Sequence, residues 1–232
     1  MGMNNEELAA ASVAFDLAAR LVQCEPDAAW IGECVQSSFF SDAPFGEDDD
    51  AVQRGLSLLS SWCDTAGGCE EEATQDIARD WLRLFAGCGA PEAPIVESFY
   101  TEPNSTLFGR ATIEVKREYE RWGLSFEKSG KEPDDSLGLM LAFCAHLMRE
   151  QVRAVRECNA AGTGEAEAAL EAFLARHMLP WASAWRFLVG EHAKTDYYRG
   201  VGELVFGFER ALGAKFGIGF NEADGTFSYR VK

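Results

Sequence analysis

Apolar residues recur along nearly the whole chain at the three-to-four spacing of a helix, and this periodicity limits the fold to an all-α one. Leu8, Phe15 and Val22 repeat every seven residues behind an Asn4-Asn5 start. Pro26 opens a second predicted helix with Ile31, Cys34, Val35, Ser38 and Phe39 on one face, and a loop with Pro, Gly and an acidic run follows from Ser41 to Asp50. Val52, Leu56, Leu59 and Cys63 mark a third helix closed by Gly67-Gly68, and Ile77, Trp81, Leu84, Phe85 and Cys88 mark a fourth. A Gly/Pro-rich connection from Gly87 to about Ser105 is the longest irregular stretch, a length that in compact domains often serves function.

Helical signal resumes through Val115, Tyr119 and Trp122 and stops at Gly123. A long helix is expected from Pro133, lined by Leu137, Leu141, Cys144, Met148, Val152 and Val155, with a flexible break at Asn159 to Gly164. Leu170, Phe173, Leu174 and His177 form the next face, Pro180-Trp181 opens a short helix, and Tyr198, Val201, Val205, Phe208 and Leu212 form the last. The tail, 213–232, alternates around Asp224-Gly225 as a small hairpin would. The expectation is one all-helical domain over 1–232, a bundle of about nine helices.

A formal charge of −17 disfavours nucleic acid and anionic membranes as partners and favours a cationic one. No stretch of apolar residues approaches the length that spans a bilayer, and the first residues lack the basic and apolar segments of a signal peptide. The expected location is the cytoplasm. The three histidines, His146, His177 and His192, pair with no Cys or carboxylate at a metal-ligand spacing, and neither a phosphate-binding Gly-rich loop nor a nucleophile elbow occurs. No catalytic residue, metal or cofactor is therefore expected.

Two segments remain as candidates for binding. In Glu132-Pro133-Asp134-Asp135, a proline with acidic neighbours suits a helix start, while clustered carboxylates also suit guanidinium groups, which they grip in a bidentate fork. In Asp80-Trp81-Leu82-Arg83-Leu84-Phe85, an apolar face formed by Trp81, Leu84 and Phe85 belongs to the core or, at its edge, to a peptide groove.

Taken in order, these segments resemble the TorD/DmsD family of redox-enzyme maturation proteins. The resemblance is carried by Asp80-Trp81-x-Arg83-Leu84-Phe85, Ser98-x-Tyr100, Tyr119 to Gly123-Leu124, Glu132-Pro133-Asp134-Asp135, Phe173-Leu174-x-x-His177-x-x-Pro180-Trp181 and Tyr197-Tyr198, and spans roughly residues 76 to 212. It implies an all-helical chaperone that binds the twin-arginine leader of a molybdopterin-containing oxidoreductase, and its apo form, and prevents export before cofactor insertion. Carried over, the family's leader-binding residues are Trp81, Leu84, Phe85, Glu132, Pro133 and Asp135, to which the acidic cluster adds Asp134. Ser136 stands where the family has His, and Ile95-Val96 where it has Pro-Trp, so imidazole and aromatic roles at those positions do not transfer. Two other readings stay open: a nitrate-reductase-type assembly chaperone acting on the apoenzyme, and a nucleotide-hydrolysing enzyme using acidic residues to hold Mg²⁺.

Seven cysteines, an odd number without C-x-x-C, with several on apolar helix faces, read as reduced and buried thiols. Mass spectrometry of protein purified without reductant is expected to find no intramolecular disulfide, and a quantitative Cys63–Cys69 bridge would overturn this.

Overall fold

The structure, a computed structural model, describes residues 3–87, 89–103, 108–125 and 133–229. Ten α-helices occur among them: α1 (Asn5–Gln23), α2 (Ala28–Ser37), α3 (Asp50–Ala66), α4 (Glu70–Trp81), α5 (Glu97–Thr101), α6 (Arg110–Arg121), α7 (Leu137–Arg156), α8 (Ala160–Phe173), α9 (Leu179–His192) and α10 (Asp196–Lys215). All but α5 have ten residues or more. The chain ends in an antiparallel hairpin of β1 (Ile218–Asn221) and β2 (Thr226–Tyr229), with Ile218 opposite Tyr229.

The helix starts follow capping chemistry. Asn4 accepts from the amides of Glu6 and Glu7 while Glu7 reaches back to the Asn4 amide, so orphan donors are satisfied from both sides. Asp27, Asp49 and Thr195 cap α2, α3 and α10 from one side, each side chain accepting from first-turn amides. Asn159 caps α8, so the predicted break at Asn159–Gly164 is instead a helix start, with Gly162 and Gly164 inside the helix. The expected irregular stretch after Gly87 contains the one-turn helix α5.

Two helices carry a π-turn. α4 runs into one at Leu82–Ala86, and α8 continues through another at Leu174–Met178 into α9. Pro180 therefore opens no separate short helix. It is the second residue of a fourteen-residue one, directly after the π-turn.

Central helices α1, α7 and α10 carry the core: α1 packs on α7, and Phe15 of α1 meets Phe208 of α10 at 6.5 Å between rings. α3 lies close against α10 because glycines face each other, and a Cβ on Gly55 would meet the Gly200 oxygen at 2.9 Å. The hairpin closes over α9 and α10 through Phe206, Phe220 and Phe227, with the guanidinium of Arg186 over the Phe206 ring at 4.6 Å. No helix of the described residues is long and apolar enough to cross a membrane.

Of the thiols, Cys34, Cys63 and Cys144 are buried, and burial pushes Cys34 up to about 12 and Cys63 to about 11. Cys24, Cys69 and Cys158 are exposed, against the expectation of burial, because each sits at a helix end rather than on a core face. Cys88 lies outside the described residues.

Glu209, in the middle of α10, is 1% exposed, and neither carboxyl oxygen has a hydrogen-bond partner among the described residues. Desolvation raises it to about 8, so the folded protein keeps this proton where the unfolded chain has released it. Stability from this group is intact below its unfolded value of 4.5 and is lost as pH rises towards 8, by on the order of 3–5 kcal/mol. Urea unfolding of Glu209→Gln beside the parent, from about pH 5 to about pH 8, is expected to show the difference shifting steadily in favour of the variant. A pH-independent difference would contradict the burial of an unpartnered carboxyl.

Candidate functional site

Asp80 is 3% exposed and accepts from the amides of Lys194 (3.0 Å) and Thr195 (2.9 Å) and from the Thr195 hydroxyl (2.8 Å). Arg83, one turn on, pairs with Asp80 and Glu92 and donates to the His192 carbonyl at 2.8 Å. These bonds fasten the end of α4 to the α9–α10 junction. Leu84 and Phe85 follow on the π-turn and face inward, with Phe85 stacked on Trp185 at 6.0 Å and edge-on to Tyr198 at 5.4 Å. Trp81 is half-buried, and its indole N–H donates to the Val22 carbonyl at 2.9 Å. Leu82, beside it, is exposed.

The acidic segment departs from expectation. Helix α7 begins at Leu137 rather than Pro133, and residues 134–135 form a turn whose carboxyl groups cap nothing in α7. Asp135 has no solvent exposure. One of its oxygens accepts from the Ser98 amide (2.9 Å), the other from the Thr112 hydroxyl (2.7 Å), and its carbonyl accepts from the Glu97 amide (3.1 Å). Leu137 donates to the Ile95 carbonyl at 2.7 Å, and Val96 bridges Ser136 as isolated antiparallel strand, so the turn is pinned to the segment before α5. The Asp134 carbonyl accepts from the Tyr119 hydroxyl at 2.9 Å, and burial raises the Asp134 carboxyl against the pull of Lys116. Pro133 is half-buried, and Glu132 lies outside the described residues.

Both motifs converge on the last turn of α1. Trp81 binds Val22 and the Ser136 hydroxyl meets Gln23 at 3.0 Å, so segments more than fifty residues apart border one seam. Of the described members of the predicted set, Trp81 and Pro133 are half-buried, whereas Leu84, Phe85, Asp134 and Asp135 are buried.

Sequence reasoning missed Glu97. This buried carboxyl faces His177 Nδ1 at 3.0 Å, and desolvation raises it even with the histidine beside it. His177 was legible as part of Phe173-Leu174-x-x-His177, but nothing local marks a partner 80 residues away. Tyr100 completes this region, stacked on Trp181 at 5.0 Å with its hydroxyl donating to the Pro94 carbonyl at 2.8 Å. Among the described residues, no three His, Cys, Asp or Glu side chains are grouped to hold a metal ion.

The family described as nitrate reductase delta subunit matches residues 46–186, more than half of the chain, including both motifs and the Glu97–His177 pair. The chain belongs to this family. Among its TorD-like relatives, the Tat proofreading chaperone DmsD of Salmonella typhimurium is 28% identical over 131 residues, 56% of this chain and 57% of that one. The Salmonella typhi protein of the same name matches over the same shares, and the probable Tat proofreading chaperone DmsD of Haemophilus influenzae is 24% identical over 136 residues, 59% and 60% of the two chains. The chain thus spans somewhat more than half the length of the curated relatives it matches.

Because Asp135 is fully buried and joins three segments, Asp135→Ala is expected to cost about 2–5 kcal/mol in urea unfolding. Thr112→Val, which removes one of these bonds, should cost about 1–3 kcal/mol. Parent-like stability of Asp135→Ala would free this side chain from the structural role.

Proposed function

We propose that the protein is a cytoplasmic chaperone without catalytic activity. It binds the twin-arginine signal peptide of a molybdopterin-containing oxidoreductase and holds the apoenzyme back from export until cofactor insertion and folding are complete. The observation that carries this reading is the family match over 46–186, which contains every motif of the seam. The relatives' names support the leader as the ligand in preference to the apoenzyme alone.

On this reading Trp81 and Pro133 meet the leader's apolar stretch. Leu84, Phe85 and Asp135 act from beneath as positioning residues, fixing the rim through core packing and the Ser98 and Thr112 bonds.

Calorimetric titration tests this with a synthetic peptide carrying an Arg-Arg pair followed by a Leu/Ala-rich stretch, and with its Lys-Lys counterpart. The parent is expected to bind the first at least about tenfold more tightly, since lysine lacks the planar fork. Trp81→Ala should weaken binding by a similar factor. A thermal melt of the same sample separates a lost contact from a lost fold, because a truncated tryptophan costs up to about 3–5 kcal/mol when fully buried. Equal affinity for both peptides, or none for either, would sink the proposal.

A further inference from the structure

A broad concavity lies at the opposite end of α1 from the seam, roughly 24 Å away along the helix axis. It is a groove of about 790 Å³, bounded by the first turns of α1, the 42–50 loop, the last turns of α10 and β1. Its volume falls in the range of about 300–1,000 Å³ typical of ligand sites. Ala10, Pro44, Phe45, Ala211, Ile218 and Phe220 give it an apolar floor. Six carboxylates line it, Glu6, Glu7, Glu47, Asp48, Asp49 and Asp50, against two cations, Arg210 and Lys215.

Both cations are already engaged. Arg210 grips Asp49 through two bonds of 2.6 and 2.8 Å and reaches Glu222 at 2.9 Å, while Lys215 holds Glu7 at 2.9 Å. Among the described residues, Glu6, Glu47 and Asp48 have exposed side chains with no ion-pair partner, and Asp50 acts on Arg210 only through its field.

The loop presenting these acids is anchored, not loose. Ala43 and Phe45 are buried in the core, and Asp49 closes a turn onto Gly46 with a 2.9 Å backbone bond. Gly46 has φ +76° and lies so close to α10 that a Cβ there would meet the Ala211 Cβ at 3.2 Å, so only glycine serves comfortably. The Gln53 amide ties down the Glu47 carbonyl at 2.7 Å. Negative charge held in place beside apolar surface is pre-organised for a segment that is cationic and apolar at once, and binding need not first order the loop.

We propose that this groove docks the arginine-bearing end of the leader, with its guanidinium groups on Glu6, Glu47 and Asp48 and the adjoining apolar residues on the Phe45–Ala211–Phe220 floor. This rests on the leader-binding reading above and assigns the arginines a different place from the seam. The reason is that Asp135, the carboxylate at the heart of the seam motif, is sealed and both its oxygens are occupied.

The test uses the full chain and the Arg-Arg peptide above, carrying a photo-reactive benzoylphenylalanine next to the pair. Cross-links are expected within 44–50 and 210–220. Glu6→Gln/Glu47→Gln/Asp48→Asn is expected to weaken binding at least about tenfold, as the loss of one or more charge-assisted bonds would. Asp64→Asn/Glu71→Gln/Glu72→Gln, which removes the same charge elsewhere, should stay within about threefold because distant exposed charges are screened. Ala214→Trp, which fills the groove without altering charge, should weaken binding like the triple variant. If the parent binds the peptide but the groove variants match it, or the cross-links fall near Trp81 and Pro133, this proposal fails and the leader-binding reading stands. If the parent does not distinguish Arg-Arg from Lys-Lys, both fall.

Discussion

The architecture depends on carboxyl groups removed from water and then given hydrogen bonds on each oxygen. A buried acid without partners costs several kcal/mol, so each one that is retained fixes whatever satisfies it. Asp80 fixes how α4 meets the α9–α10 junction. Asp135 fixes how the turn before α7 meets α5 and α6. With both in place, the two motif segments can reach the same turn of α1. Glu209 is the counterexample, buried without partners, and it makes stability depend on pH where Asp80 and Asp135 provide connections.

Much of this was legible in the sequence. The faces of α1, α3, α6 and α10 follow from apolar periodicity, the start of α1 from Asn4, the ends of α3 and α6 from Gly67 and Gly123, and the hairpin from alternation about Asp224-Gly225. Local rules failed where the deciding partner is distant. Pro133 followed by two acids satisfies the preferences for a helix start, yet Asp135 is claimed by Ser98 and Thr112, 37 and 23 residues away, and the helix begins four residues later. The π-turns escaped notice because one extra residue in a turn leaves a believable apolar pattern. Exposure at Cys24, Cys69 and Cys158 was hidden because helix ends, unlike helix faces, leave little periodic trace.

The candidate sites divide in the same way. Motif residues were visible in the sequence, but among the described ones Leu84, Phe85, Asp134 and Asp135 turn out to be interior, and Trp81 and Pro133 are half-buried. The groove is the reverse case. Its lining is drawn from residues 6 to 220, each part unremarkable alone, and the run Glu47-Asp48-Asp49-Asp50 is legible only as an acidic loop, whereas Phe45, which is buried, and Gly46 pin it to the core. Motif-rich regions of this chain mark where segments are joined, and the accessible surface lies partly elsewhere. Both π-turns fall inside motifs, at Leu82–Ala86 and Leu174–Met178, as expected where an inserted residue re-aims side chains for use.

The groove also joins parts of the chain that lie far apart in sequence. Its walls come from the first turns of α1 and from β1, whose Ile218 pairs with Tyr229, and Glu7 and Lys215 tie α1 to the end of α10 across the opening. A molecule seated there would touch both sides of that tie, so its binding energy would oppose any local opening that parts α1 from the hairpin.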